Sequence, residues 1–270
     1  GIGVLYVKTN DDLPGPEGLG NMGKRTGNVW LCCRGSLTTG PLSDVPHRIL
    51  AWFLLIGPVC TVLYMDLDRF HQTFGPIFLV VLAIALTSTV VHFILVGCVE
   101  PGIIRRRPYH FEDAYTLSVQ HSGSCPGTCR TCNVDKPPRS GHCAECDTCV
   151  RELDHHCPFV GNCIGERNYG YFILFLLSLD LVIILLSTGK CLLPPQCPEQ
   201  TVSRDTYSMY TILVCVYLGF FGCVILLFSM FHLYLIATGQ TTRERIKGRR
   251  DPEHRGRTIR YCAPLSPDNR

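Results

Sequence analysis

The stretch RELDHHCPFVGNC, Arg151 to Cys163, holds two adjacent histidines, two cysteines and an aspartate. Closely spaced thiolates and imidazoles bind metal ions. An aspartate, a histidine and a cysteine within reach of one another instead form a nucleophile set, in which the carboxylate orients the imidazole, the imidazole takes the thiol proton and the thiolate attacks. Reading on from Cys129, the candidates are Cys129, Cys132, His142, Cys143, Cys146, Cys149, His155, His156, Cys157 and Cys163. Two C-x2-C pairs backed by further Cys and His are a strong zinc signal, because each such turn presents two thiolates to one tetrahedral ion. A closed structural site takes four ligands, so two sites use eight of the ten groups and leave two. The remainder is one histidine of the adjacent pair and one cysteine near it. His155 and Cys157, beside Asp154, meet that description, and Cys125 is also left over. The same count admits a plainer reading, a zinc-binding interaction module in the manner of LIM or RING domains, with the extra His and Cys merely packed. Nucleic-acid binding lacks the long basic helix it calls for.

Four apolar runs must position these residues: Ile49 to Met65, Ile77 to Val99, Tyr171 to Ser187 and Tyr210 to Ala237. Each is about as long as a helix crossing roughly 30 Å of hydrocarbon, and Asp180 is the only charge among them. Gly57 and Pro58 in the first run are tolerable in a membrane helix, where neighbours satisfy freed backbone groups. The fold class expected is an all-α integral membrane protein, with four transmembrane helices and a cytosolic cysteine-rich two-zinc domain between the second and third. Of 25 Lys and Arg, 22 lie in the N-terminal segment, the 100–170 segment or the C-terminal tail; Arg69, Lys190 and Arg204 alone lie in the other two loops. The positive-inside tendency therefore puts the termini and the 100–170 segment in the cytosol. There thiols stay reduced, so the eight of 17 cysteines in that segment read as metal ligands or chemistry rather than disulfides. Cys191 and Cys197 fall in the opposite loop, where pairing is open to them. The organisation expected is 1–46 loosely ordered, 47–99 the first two spans, 100–170 the zinc domain, 171–237 the last two spans and 238–270 a cytosolic tail. The opening residues show no secretory signal pattern, and Leu5 stands where N-myristoylation wants Ser or Thr, so the first membrane helix is expected to serve as the targeting signal.

The spacing C-x2-C-x9-H-C-x2-C-x2-C-x4-D-H-H-C-x5-C-x4-N-x3-F, unbroken from Cys129 through Asn168 to Phe172, resembles the DHHC family of membrane protein S-acyltransferases, which move palmitate and related chains from acyl-CoA to protein cysteines. The resemblance covers about Arg48 to Gly248. It implies a nucleophile at Cys157, a base at His155 oriented by Asp154, and two structural zinc ions. Cys129, Cys132, His142 and Cys149 would hold one ion; Cys143, Cys146, His156 and Cys163 would hold the other. The family's T-T-x-E motif is matched by Thr241, Thr242, Arg243 and Glu244, with Thr242 in the place that holds the aspartate. The run QTTRERIKG is similar to a branch of Ras-type acyltransferases that work with a small accessory subunit. Two positions depart from the family pattern: Glu100-Pro101-Gly102 stands for the usual Asp-Pro-Gly, and Phe159 for the usual Trp, which bears on acyl-chain length preference.

The partners implied are palmitoyl-CoA, membrane-associated proteins bearing cysteines and the lipid bilayer, with no nucleic acid. The membrane implied is the Golgi, endoplasmic reticulum or plasma membrane. Arg105, Arg106 and Arg107 are placed for CoA phosphates or for anionic lipid. Cys32 and Cys33 are either acyl acceptors themselves or idle thiols. Asp180 either lines an acyl cavity or is a structural acid. The rival functions are a catalytically silent zinc-domain scaffold and, from a different class, a small-molecule thioesterase or acyl-CoA transporter.

Overall fold

Runs of Leu, Ile, Val and Phe become helices here because a helix satisfies every backbone N–H and C=O within its own segment. The computed structural model describes residues 24–106, 128–194 and 203–247. Among them three helices are long and apolar enough to cross a membrane: α1 (Val45–Cys98), α2 (Tyr169–Leu192) and α3 (Arg204–Thr238). A fourth, α4 (Thr242–Ile246), is a single turn.

At 54 residues, α1 has about twice the length that hydrocarbon requires. It breaks at Gly75, whose φ of 75° and ψ of −178° belong to a region open to glycine, and Pro76 starts the second arm where its missing N–H costs nothing. The arms fold back on each other. Trp52 and Phe93 stack edge to face with centroids 4.8 Å apart, whereas an unbroken helix would hold them about 60 Å apart. The first two apolar runs fall on these two arms. Near the bend, Phe70, Phe74 and Phe78 pack together, with centroids 5.5 Å apart for Phe70 and Phe78 and 4.9 Å for Phe74 and Phe78.

The same end carries a buried polar knot that ties α1 to α2 and α3. Asp66 accepts from Lys190 Nζ at 2.6 Å, Tyr207 Oη at 2.7 Å, Tyr210 Oη at 2.6 Å and Arg69 Nη1 at 3.0 Å. Four donors around one carboxylate are what a buried charge needs to be tolerated. Asp180, the acid inside the third apolar run, is buried and faces Ser229 of α3.

Between α1 and α2 the chain forms strands of two or three residues. Ile103–Ile104, Thr148–Val150 and Gly141–Cys143 make one antiparallel sheet; Thr128–Cys129 pairs with Val134–Asp135, and His155–Cys157 with Asn162–Ile164. Helices dominate the fold, but the cysteine-rich region is built on these strands rather than being all-α. Residues 24–39, expected to be loosely ordered, form a three-stranded antiparallel sheet of Lys24–Thr26, Val29–Cys32 and Leu37–Thr39. Val29 and Leu31 alternate inward from it and are buried. The sheet leans on the cysteine-rich region through Asn28 N–H to Cys146 C=O at 2.9 Å, and at Gly27 a Cβ would meet the Asp147 carbonyl at 2.4 Å.

Candidate active site and metal centres

The hairpin His155–Cys157 and Asn162–Ile164 turns two adjacent histidines to opposite faces. Side chains alternate across a strand, so His155 and Cys157 share one face while His156 points to the other. On that second face His156 stands opposite Cys163 in the register. Its Nδ1 lies 3.4 Å from Cys146 Sγ and 3.7 Å from Cys163 Sγ, and the two sulfurs are 3.5 Å apart. With Cys143 these atoms all lie within 4.8 Å of one another. The second cluster, Cys129, Cys132, His142 and Cys149, has the same property, with His142 Nδ1 3.3 Å from Cys132 Sγ and 3.9 Å from Cys149 Sγ. A tetrahedral ion held at about 2.0–2.3 Å by thiolate and imidazole needs donors roughly 3.5–3.8 Å apart. Both clusters fit, and their six cysteines are buried.

His156 has an outer partner that the sequence reading missed. Its Nε2 lies 3.0 Å from Asp44 Oδ2, on the segment just before α1. A carboxylate behind a ligating imidazole fixes its tautomer and raises its basicity. Asp44 carries no local sequence signal of this role. Two further residues, Asn162 and Asn168, lock the hairpin to the membrane helices. Asn162 Nδ2 donates to the carbonyls of Val99 at 2.9 Å and Val96 at 3.1 Å, closing the open end of α1. Asn168 Nδ2 donates to Cys163 at 2.8 Å and Val96 at 3.2 Å, while its Oδ1 accepts from Gly165 N–H at 2.9 Å. The motif includes Asn168, but its spacing alone does not disclose these partners.

On the first face, Asp154 Oδ2 lies 2.7 Å from His155 Nδ1, which leaves Nε2 for Cys157. Asp154 is buried, which alone would raise its pKa; the bonds from His155 and Thr242 outweigh that and hold the carboxyl below its usual range. Burial likewise pulls His155 down, but Asp154 and then Cys157 overcome it and push the imidazole up to about 9. Burial would raise the Cys157 thiol, yet the hydrogen bond and positive charge of His155 bring it below the ordinary thiol value. His155 and Cys157 thus favour each other's charged forms, with the Asp154 carboxylate behind the imidazole. Cys157 also packs on the apolar cluster of Phe93, Val96, Val160, Ile164, Phe172 and Leu176, so a chain attached to its sulfur meets hydrocarbon-like surroundings.

The T-T-x-E residues converge on this triad from the far end of the chain. Thr242, carried to this place by the motif, donates its main-chain N–H to Asp154 Oδ1 at 2.8 Å, and its hydroxyl is buried. Thr241 and Glu244 make a capping box on α4: the Thr241 hydroxyl accepts from Glu244 N–H at 3.2 Å and Glu244 Oε2 from Thr241 N–H at 2.9 Å. Arg139 Nε binds Glu244 Oε1 at 2.9 Å, joining α4 to the cysteine-rich region. The motif's threonines and glutamate thus preorganise one turn whose amide faces the aspartate.

The remaining candidates fall as follows. Glu100 is buried and accepts from Gly102 N–H at 2.7 Å and from Ile103 N–H, and it pairs with Arg167, so the longer acid holds the turn after α1. Phe159 is exposed, with its ring 6.2 Å from His47. Arg106 is engaged by Asp147 at 2.7 Å beside the Cys129 cluster. Arg105 runs to Gly35, and Arg107, Cys125 and Cys197 lie outside the described residues. Cys33 is exposed at a φ of 51°, next to half-buried Cys32.

Comparison with known proteins agrees with this geometry. Residues 125–249 match the family described as DHHC palmitoyltransferase. Palmitoyltransferase ZDHHC8B of Danio rerio is 38% identical over 148 residues, 52% of this chain and 19% of that protein. Palmitoyltransferase ZDHHC5 of Rattus norvegicus is 36% identical over 175 residues, 62% of this chain and 24% of that protein. Palmitoyltransferase ZDHHC18 of Mus musculus is 33% identical over 204 residues, 62% of this chain and 51% of that protein. The chain thus spans from about a fifth to half of the length of these three relatives.

Proposed function

We propose that this chain, whose residues 125–249 match the DHHC palmitoyltransferase family, is a protein S-acyltransferase that carries a long acyl chain from acyl-CoA to cysteines of membrane-associated proteins by way of Cys157. The observation that carries the reading is how the cysteine-rich region divides: eight donors fall into two four-membered clusters, and Cys157, outside both, hydrogen-bonds to His155, which Asp154 holds. His155 Nε2 takes the proton of Cys157. The sulfur attacks the thioester carbonyl, an S–C bond forms, the C–S bond to CoA breaks, and CoA leaves as the free thiol, taking the proton from His155 and leaving the imidazole neutral. In the second half the substrate cysteine gives its proton to His155, attacks the acyl-enzyme, and releases Cys157 as thiolate. Thioester exchange is close to isoenergetic, so the site supplies thiolate and position. Asp154 holds His155 in the required tautomer throughout.

The two clusters suit zinc, with Cys129, Cys132, His142 and Cys149 for one ion and Cys143, Cys146, His156 and Cys163 for the other. Zinc there supplies folding energy and holds the hairpin in shape. The two arms of α1, with α2 and α3, make four membrane crossings, and the excess of Lys and Arg puts the cysteine-rich region and both ends of the chain on the cytosolic side. A sixteen-carbon chain, at about 0.8 kcal/mol per CH₂, stays within the bundle rather than in cytosol, against the apolar cluster that touches Cys157. The QTTRERIKG run supports a small accessory subunit as partner. A silent scaffold would have no use for a thiol below its ordinary pKa facing a carboxylate-backed imidazole. The test is a chase: purified chain is loaded with alkyne-tagged palmitoyl-CoA and then given a cysteine-bearing membrane peptide. Hydroxylamine-labile label moving from chain to peptide is the expected result. Label that never enters the chain, or leaves it only to water, refutes the transferase reading.

A further inference from the structure

We infer that His232, together with Tyr169, is a positioning residue for His155 in the acyl transfer proposed above, on which this inference rests. His232 lies near the end of α3 and is fully buried. Rings surround it edge to face, with centroids at 4.7 Å for Phe228, 5.0 Å for Phe172 and 5.6 Å for Phe231. A phenylalanine would fill such a pocket without burying polar atoms. An imidazole brings two nitrogens into it, which is unfavourable unless they do something that packing cannot. Nδ1 stands 3.2 Å from Tyr169 Oη, and Nε2 has no partner among the described residues. The Tyr169 and His155 rings lie beside it too, each 6.0 Å away between centroids.

His155 is thus held by Asp154 at Nδ1, by the edge of Phe172 at 5.5 Å and by His232. The Asp154 bond fixes one nitrogen but leaves the imidazole free to swing about that bond. Swinging carries Nε2 away from Cys157, and a base works only within about 2.6–3.2 Å of its proton. Tyr169 opens α2 and His232 lies in the last two turns of α3, so their hydrogen bond fixes how those helices meet at the level of the triad and pins the ring against which His155 rests.

The test uses the full chain with palmitoyl-CoA, measuring zinc content, thermal unfolding and the rate of acyl-enzyme formation. His232→Phe keeps the ring and its packing. It should retain both metals yet form acyl-enzyme about tenfold or more slowly, since small misplacement of a catalytic group is costly. Its KM for palmitoyl-CoA should stay within about twofold, the signature of a change confined to the chemical step. Tyr169→Phe should fall in the same direction, and the double variant should be no slower than His232→Phe, because one residue acts through the other. His232→Asn, whose amide reaches the place of Nδ1, should restore part of the rate; His232→Gln, which matches Nε2, should not. If His232→Phe fails to fold, Tyr169→Phe, which removes one oxygen, and the His232→Asn and His232→Gln pair carry the same test. A wild-type rate in His232→Phe with only a lowered unfolding temperature overturns the inference, as do rate losses that simply multiply in the double variant. Absence of acylation in the wild type sinks the acyltransferase reading and this inference together; equal acylation of wild type and His232→Phe sinks this inference alone.

Discussion

Asp44 joins the membrane entry of α1 to a metal cluster 112 residues away, and removing it should weaken one ion and spare the other. Its Oδ2 sits 3.0 Å from His156 Nε2, with the aspartate and imidazole side chains only 7% and 10% exposed, so water cannot replace the bond. A hydrogen bond to a charged group contributes about 1.5–3 kcal/mol. Loss of an outer-shell partner lowers metal affinity about 10–100-fold, and tenfold corresponds to about 1.4 kcal/mol, so the two scales agree. Asp44→Asn keeps an oxygen in place and loses only charge, so it belongs near the tenfold end; Asp44→Ala belongs near the hundredfold end. The Cys129 cluster should be untouched, because its His142 faces Asp147 at 3.9 Å rather than Asp44. Competition with a chromophoric zinc chelator on purified protein reads both ions. The expected curve splits, one ion yielding early and the other at its wild-type chelator concentration. Asp44→Ala protein that surrenders both ions as the wild type does would refute the argument. Since the weakened ion also holds the hairpin that carries Cys157, autoacylation should fall in step with its loss.

Three further outcomes follow from the site and the bundle. His155→Ala should keep both zinc ions and lose acyl-enzyme formation by about 10² to 10⁴, whereas His156→Ala should lose metal first; metal analysis and autoacylation on both proteins check this, and the reverse pattern exchanges their roles. The thiolate of Cys157 should persist as pH falls below the ordinary thiol range and vanish only once its lowered pKa is passed, while the imidazolium of His155 lasts up to about 9. Iodoacetamide labelling of Cys157 against pH should therefore show a midpoint below that of an ordinary thiol, about 8.5, and His155→Ala should move it upward; identical midpoints contradict the pairing. Asp66→Ala leaves Lys190 buried without its partner and should destabilise the bundle by about 3–5 kcal/mol, read as lowered unfolding temperature in detergent with zinc content unchanged.

What the sequence made legible is local. Metal-ligand spacing is written in the chain because a C-x2-C turn is short, and two-residue alternation in a strand separates His155 from His156. Four apolar runs were visible because bilayer thickness sets a length. What stayed hidden depends on contacts between distant segments. Asp44 looks like any residue before a helix until the fold brings it to His156. Asp66 and Lys190 lie just beyond the ends of apolar runs, so Asp180 drew attention as the charge inside a span while the four-donor knot on Asp66 went unseen. The sheet of residues 24–39 has strands of three or four residues, too short for a periodic signal amid Gly and Pro, and it is stabilised by leaning on Cys146 and Asp147 rather than by its own core. The T-T-x-E motif pointed to the aspartate, but only coordinates reveal that the Thr242 amide donates to it.

Every step of the proposed transfer passes through Cys157 as the acyl carrier. Intact-mass analysis of the purified chain after palmitoyl-CoA, with peptide mapping of the product, tests it most directly. The wild type should gain one hydroxylamine-labile palmitoyl group mapped to Cys157, and Cys157→Ser, with both zinc ions in place, should gain none. Undiminished labelling of Cys157→Ser, or a labile group mapped instead to one of the eight clustered donors, would contradict it.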